Sequence, residues 1–101
     1  MNRVAFRMRL KPGAESIYQQ IHDDISPAML ELIGQTGATN YTIFREGLDL
    51  FAYLECGNEM TPADQSHPVL AEWWRRLEPY MDYNDDGSPT TWPMVEVFHC
   101  D

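Results

Sequence analysis

Basic residues are scarce in this chain of 101 residues. Seven Lys and Arg stand against sixteen Asp and Glu, which gives a formal net charge of −9 at pH 7. Because nucleic-acid binding depends largely on basic side chains that neutralise phosphates, this balance argues against a nucleic-acid partner. An acidic protein is also repelled by anionic membrane surfaces. A neutral small molecule is therefore the easier ligand to accommodate.

Long apolar runs are absent as well, and cysteine is rare. No stretch reaches the roughly 18 apolar residues that a membrane-spanning helix requires. The first residues alternate charged with apolar side chains and lack the apolar core of a signal peptide, so we expect a cytoplasmic protein without a membrane partner. In that compartment Cys56 and Cys100, the two cysteines, are expected to be free thiols.

The common motifs of metal and nucleotide sites are also missing. The histidines, His22, His67 and His99, form no zinc-ligand spacing with each other or with the cysteines. No glycine-rich loop follows a strand in the phosphate-binding pattern, and no nucleophile elbow is present. We therefore predict no metal site. His67 precedes a proline at a helix start, which is typical of a surface or capping residue.

Hydrophobic periodicity predicts the element order βαββαβ. Alternating or bounded apolar runs indicate four strands, at residues 3–10, 38–46, 48–56 and 92–99. Helical spacing covers residues 14–35 and 68–81. Ser26-Pro27 interrupts the first helical stretch and predicts either a kink or two helices, with Ser26 as the N-cap and Pro27 at the first helical position. Thr61-Pro62 is a candidate start for a short helical turn.

This order is that of the ferredoxin-like α+β fold, in which both helices cover one face of a four-stranded antiparallel sheet. We expect one domain over residues 1–101. Nothing in the chain covers the other sheet face, which carries many apolar residues. A second copy that packs sheet to sheet would cover it, so we predict a homodimer.

Tyr18 and His22 are the first candidates for chemistry. Their spacing of four residues places a phenol and an imidazole on one helix face, with about 5–6 Å between Cβ atoms. Histidine, with an unperturbed pKa of about 6.5, is suited to proton transfer near neutral pH. Trp73 and Trp74 point about 100° apart on the second helix, so one can enter the core while the other borders a cleft. Together these residue types suit a carbohydrate pocket.

Over essentially its whole length the chain resembles the L-rhamnose mutarotase family. The resemblance rests on RVAFRMRLKPGA near the N-terminus, the spacing of Tyr18 and His22, GATNYTIF around Tyr41, the strand FAYLE, the Trp73-Trp74 pair and the closing SP and EVF. It implies a dimeric α+β barrel that interconverts sugar anomers without a cofactor. It also implies that His22 is the proton donor, that Tyr18 and Tyr41 bind the sugar, and that Trp73 and Trp74 line its site.

Two segments differ from the family pattern, 58–67 before the Trp pair and the loop 84–89. We expect both to shape one wall of the pocket and to affect which 6-deoxy sugar is preferred. The sequence is also compatible with two other functions. One is a dimeric α+β-barrel monooxygenase that acts on a polyketide-like aromatic or on haem, with His22 as a base. The other is a non-catalytic module that binds a sugar.

Overall fold

A computed structural model of the chain describes residues 2–57 and 66–101. The elements follow the predicted order and confirm the ferredoxin-like fold. Four strands and three α-helices alternate as β1 (Asn2–Arg9), α1 (Glu15–Asp23), α2 (Pro27–Gln35), β2 (Ala38–Glu46), β3 (Asp49–Cys56), α3 (Pro68–Leu77) and β4 (Trp92–Met94), with a 3₁₀ turn at Glu78–Tyr80. The predicted turn at Thr61-Pro62 lies outside the described residues, as does most of 58–67.

The sheet is antiparallel throughout, in the strand order β2-β3-β1-β4. Alternation along β3 sorts its residues between two faces, because successive side chains of a strand point to opposite sides. The even-numbered residues of β3 are buried on the inner face, beneath the helices, and are Leu50, Ala52, Leu54 and Cys56. Phe51 and Tyr53 belong to the opposite, outer face and are half-buried.

An extra residue in β2 changes which face its first half presents. Thr39 pairs with Glu55 and Thr42 pairs with Tyr53, so three steps along β2 match two along β3. Asn40 lies in this bulge with φ of 50°, a left-handed conformation that asparagine tolerates better than most residues. Strict alternation from Thr39 would place Tyr41 on the outer face. The bulge instead allows Tyr41 to point inward with Ile43.

The first helical stretch is two helices, which confirms the second alternative predicted at Ser26-Pro27. The Ser26 hydroxyl accepts a hydrogen bond from the Met29 amide at 3.1 Å, as an N-cap does. Pro27 occupies the first helical position, where its missing N–H costs nothing. The core then forms between both helices, α3 and the inner face of the sheet, around residues such as Leu10, Leu32, Leu50, Leu70 and Met81.

The C-terminal half departs from the prediction at two places. The second helix ends as an α-helix at Leu77 rather than 81, because Pro79 has no N–H for the helical ladder and its ring clashes with the carbonyl four residues earlier. The last strand was predicted to reach 99 but ends at Met94. Its last pair with β1 is Met94 with Ala5, and beyond it the chain no longer pairs with β1, although β1 extends to Asn2; Val97 is left 91% exposed.

The Ser26 cap gives a test of this helix boundary. Ser26→Ala removes the hydroxyl that satisfies the Met29 amide, so we expect a loss of about 1 kcal/mol in the free energy of unfolding. Urea denaturation measures it. Ser16→Ala, at an exposed site inside α1, is the matched control and should cost nothing. Equal stability of the two variants would contradict the cap.

Candidate functional site

A cavity of about 660 Å³ lies between the helices and the inner face of the sheet. Its size is in the ordinary range for small-molecule sites. We call it the helix–sheet cavity. α1 and α2 form one wall, β2 and β3 the floor, and α3 closes one side. The five residues singled out from the sequence all line it: Tyr18, His22, Tyr41, Trp73 and Trp74.

One stripe of α1 supplies most of the polar lining. Glu15, Tyr18, Gln19 and His22 follow the spacing i, i+3, i+4, i+7, so they lie on a single helix face. The rings of Tyr18 and His22 are 4.2 Å apart between centroids and tilted by 37°. The predicted phenol–imidazole pair is therefore in contact, and both rings border the same space.

The backbone of its own helix orients the His22 ring. Its Nδ1 lies 3.0 Å from the carbonyl oxygen of Tyr18. Because a carbonyl can only accept, Nδ1 carries the hydrogen and Nε2 is the atom left to exchange a proton. On another side, the Trp73 ring meets the imidazole edge to face, with centroids 5.0 Å apart at 76°.

Burial lowers the pKa of His22, because desolvation penalises the imidazolium. The hydrogen bond to the Tyr18 carbonyl and the nearby charge of Asp23 oppose this shift only in part. His22 is therefore neutral at pH 7, and its Nε2 presents a lone pair. A neutral imidazole in this tautomer begins a reaction as a base and becomes an acid after it has taken up a proton.

The two tyrosines of the cavity remain neutral phenols. Burial raises the pKa of Tyr18 far above its usual value, with smaller contributions from Tyr41 and Tyr83. Burial also raises the pKa of Tyr41. Tyr41 keeps 39% of its surface exposed, so water also reaches its side chain. Each hydroxyl can both donate and accept a hydrogen bond.

The tryptophan pair behaves as its spacing predicted. Trp73 is buried in the core and reaches the cavity beside His22. Trp74 is half-buried and borders the cavity. The Tyr83 hydroxyl donates to the Trp74 carbonyl at 2.6 Å and ties this end of α3 to the loop that follows.

Four polar residues of the lining were missed by the sequence analysis: Glu15, Gln19, Thr36 and Arg45. The helical period would have found the first two, since Glu15 precedes His22 by seven residues and Gln19 follows Glu15 by four. Arg45 follows Ile43 by two residues on β2, so strand alternation places it on the same face.

The loop 84–89 does not line the helix–sheet cavity, contrary to expectation. It closes on itself instead. The Asn84 amide donates to the Ser88 carbonyl at 2.8 Å, and Asp86 accepts from the Ser88 amide at 2.9 Å. Hydrogen bonds from the Ser88 hydroxyl and then from the Ser88 amide hold the pKa of the Asp86 carboxyl below its usual value. The loop's polar groups are thus engaged with one another.

The remaining histidines lie outside the cavity. Nδ1 of His67 accepts from the Val69 amide at 3.2 Å and caps α3, which confirms the capping role predicted for it. His99 pairs with Asp101 at the chain end. Within residues 2–57 and 66–101, no three His, Cys, Asp or Glu side chains come close enough to hold a metal ion. No helix in this part of the chain has the length and apolarity to cross a membrane.

The buried imidazole makes stability depend on pH. A lowered pKa in the folded state means that the unfolded chain binds more protons below pH 6.5, so the stability contributed by neutral His22 is complete above that value and falls as the pH drops through it. We expect the wild-type protein to lose more stability between pH 7 and pH 5 than His22→Gln, by urea denaturation at each pH. Parallel pH dependence of the two proteins would contradict a neutral buried His22.

Comparison with known proteins places this geometry in context. The family model described as L-rhamnose mutarotase matches residues 3–100. The L-rhamnose mutarotase of Leptothrix cholodnii is 40% identical over 104 residues, which cover 98% of this chain and 96% of that protein. The one of Rhizobium leguminosarum bv. trifolii is 37% identical over 102 residues, with the same coverage of both chains.

Solved structures agree with the fold. The crystal structure of an L-rhamnose mutarotase from Formosa agariphila superposes with a TM-score of 0.88 at 29% identity, over the full length of both chains. The tetracenomycin F2 cyclase of Streptomyces glaucescens, a type-II polyketide cyclase, gives a TM-score of 0.57 at 20% identity, over 99% of this chain and 96% of its own. The second likeness concerns the fold alone. None of these four proteins is described as a monooxygenase or as a non-catalytic sugar-binding module.

Proposed function

This chain belongs to the L-rhamnose mutarotase family, and we propose that its reaction takes place in the helix–sheet cavity with His22 as the group that moves the proton. The protein is an isomerase that interconverts the α and β anomers of L-rhamnose. The observation that carries the assignment of the site is the meeting of Tyr18, His22, Tyr41 and the Trp pair around one cavity.

The chemistry requires two proton transfers, one at the anomeric hydroxyl oxygen and one at the ring oxygen. L-Rhamnose is a cyclic hemiacetal, and ring opening removes the proton of the anomeric hydroxyl and adds one to the ring oxygen. Both oxygens are bonded to the anomeric carbon, so one base at this position reaches them in turn. Neutral His22, with its Nε2 lone pair free, meets this requirement.

The proton path uses the same nitrogen throughout. Nε2 of His22 takes the anomeric proton while the anomeric carbon forms its carbonyl and the bond to the ring oxygen breaks. The imidazolium then donates that proton to the ring oxygen, which fulfils the proton-donor role implied by the resemblance. The aldehyde rotates about its C1–C2 bond, and the reverse sequence closes the ring on either face. His22 ends as it began.

The other residues bind rather than transfer protons. The neutral hydroxyls of Tyr18 and Tyr41 can hydrogen-bond sugar oxygens, and burial keeps them in that state. The faces of Trp73 and Trp74 suit the CH surface of the ring and the C6 methyl group of a 6-deoxy sugar. A small polar ligand enclosed by aromatic rings loses water on binding, which strengthens its hydrogen bonds.

Substitution of His22 tests the mechanism. We expect His22→Ala to reduce enzyme-dependent anomer exchange about 10²–10⁴-fold, because general acid–base catalysis contributes on that order. NMR saturation transfer between the α and β H1 signals of L-rhamnose measures the exchange. His99→Gln, at an exposed position outside the cavity, is the control and should keep wild-type exchange. Full activity in folded His22→Ala would remove His22 from the mechanism.

The proposal also covers the assembly, compartment and domain. The outer face of the sheet exposes a patch of apolar side chains: Phe44, Phe51, Tyr53, Trp92 and Met94. Phe44 is 64% exposed, more than a side chain of its size usually is. A second copy packed face to face would cover this patch and produce the dimeric barrel.

We place the protein in the cytoplasm, where free Cys56 and Cys100 are stable. We also treat residues 1–101 as one domain.

Charge placed on the outer face tests the dimer. Phe44→Glu should convert the protein from a dimer to a monomer, because a dimer would bury the carboxylate among apolar side chains. Light scattering coupled to size exclusion measures the mass. Ala28→Glu, exposed on α2 and outside the cavity, adds the same charge elsewhere and should remain dimeric. A wild-type mass of one chain would contradict the proposal.

A further inference from the structure

Glu15, the first residue of α1, has a buried oxygen that the fold leaves without a partner. Its Oε1 is inaccessible to solvent and receives no hydrogen bond from the residues that the structure describes. None of the ion pairs among those residues includes it. A buried carboxylate oxygen with no donor costs free energy, so such atoms are rare and call for an explanation.

Helix stability explains only part of this placement. An acidic side chain in the first turn is favoured by the helix dipole, and α1 has no side-chain cap at Ala14. A solvated carboxylate would give the same benefit without losing water from one of its oxygens. Glu15 instead lines the helix–sheet cavity together with Tyr18 and His22. Because the side chain borders the cavity, a rotation of its carboxylate can turn the unpaired oxygen toward a donor on a ligand bound there.

We propose that Glu15 is a specificity-determining residue that accepts hydrogen bonds from the C3 and C4 hydroxyls of the sugar. The inference rests on the proposed site, with the anomeric carbon at His22. Glu15 and His22 are seven residues apart, about 10.5 Å along the helix axis. In a pyranose ring the C3–C4 bond lies opposite the bond between C1 and the ring oxygen. A sugar that presents its anomeric end to His22 thus turns these two hydroxyls toward Glu15.

The stereochemistry of the substrate fits a carboxylate at this end. In L-rhamnose the C3 and C4 hydroxyls are neighbouring and both equatorial, so both can donate to one carboxylate group. In L-fucose the C4 hydroxyl is axial, so it points out of the mean ring plane and away from a carboxylate placed at the edge of the ring. Glu15 therefore favours L-rhamnose over L-fucose, because an unpaired donor in a closed site is costly.

The test compares anomer exchange of L-rhamnose and its 4-deoxy analogue. Glu15→Gln replaces the carboxylate with a group of the same shape and should reduce kcat/KM for L-rhamnose about 10–100-fold, mainly through KM, since hydrogen bonds to a charged group are the stronger kind. Glu31→Gln, exposed on α2 and outside the cavity, is the control. The wild-type protein should show a loss of similar size with the 4-deoxy sugar.

The decisive quantity is the combination of the two changes. If Glu15 binds the C4 hydroxyl, Glu15→Gln loses little more when that hydroxyl is removed, so the two losses are not additive. The inference would be overturned if the loss in kcat/KM from the substitution and the loss from removing the C4 hydroxyl multiplied each other. It would also be overturned by the same kcat/KM in Glu15→Gln and Glu31→Gln. Equal kcat/KM of the wild-type protein for the 4-deoxy sugar and for L-rhamnose would overturn it too, and this result does not depend on the folding of any variant.

Failure of the inference can be separated from failure of the proposed site. If His22→Ala retains full exchange, the position of the anomeric carbon is wrong and the inference falls with it. If His22→Ala is inactive while Glu15→Gln matches Glu31→Gln, only the role of Glu15 is wrong. Glu15→Gln should also unfold at a temperature close to that of the wild-type protein, because the free protein supplies no hydrogen-bond donor to Oε1 that the substitution would remove.

Discussion

The packing of α1 against the inner face of the sheet is the constraint on which the site depends. Tyr18 and Ile21 are buried in the core from this helix, and their burial fixes the rotation of α1 about its axis. That rotation decides that Glu15 and His22 face the cavity rather than solvent. The break at Ser26 then lets the chain change direction between α1 and α2, and α2 continues the same wall of the cavity.

The same burial determines which protonation states the cavity holds. Desolvation lowers the pKa of His22 and raises that of Tyr18, so both groups are neutral in a protein whose net charge is strongly negative. Because the backbone carbonyl of Tyr18 engages Nδ1 of His22, only Nε2 is free to exchange a proton. The ring is a base while it is neutral and an acid once Nε2 is protonated. A reaction that returns every proton it takes, with no change of oxidation state, needs no more than this.

Residue spacing was sufficient for the element order, the helix break and four candidate residues of the site, Tyr18, His22, Trp73 and Trp74. It was insufficient where tertiary context decides. Pro79 ended an α-helix that the apolar spacing continued, and the last strand stopped pairing with β1 after Met94. Tyr41 was found through the resemblance, since alternation alone would turn it outward; the bulge at Asn40 turns it in. Glu15 was missed because an acidic residue at a helix start has an ordinary explanation.

The most direct test of the account is the tautomer of His22, read from the ring nitrogen chemical shifts of the ¹⁵N-labelled protein at pH 7, with and without L-rhamnose. The account predicts a neutral ring that is protonated at Nδ1 in the free protein, with the Nε2 signal moving when the sugar is added. A neutral ring protonated at Nε2, or an Nε2 chemical shift that does not change when the sugar is added, would contradict it.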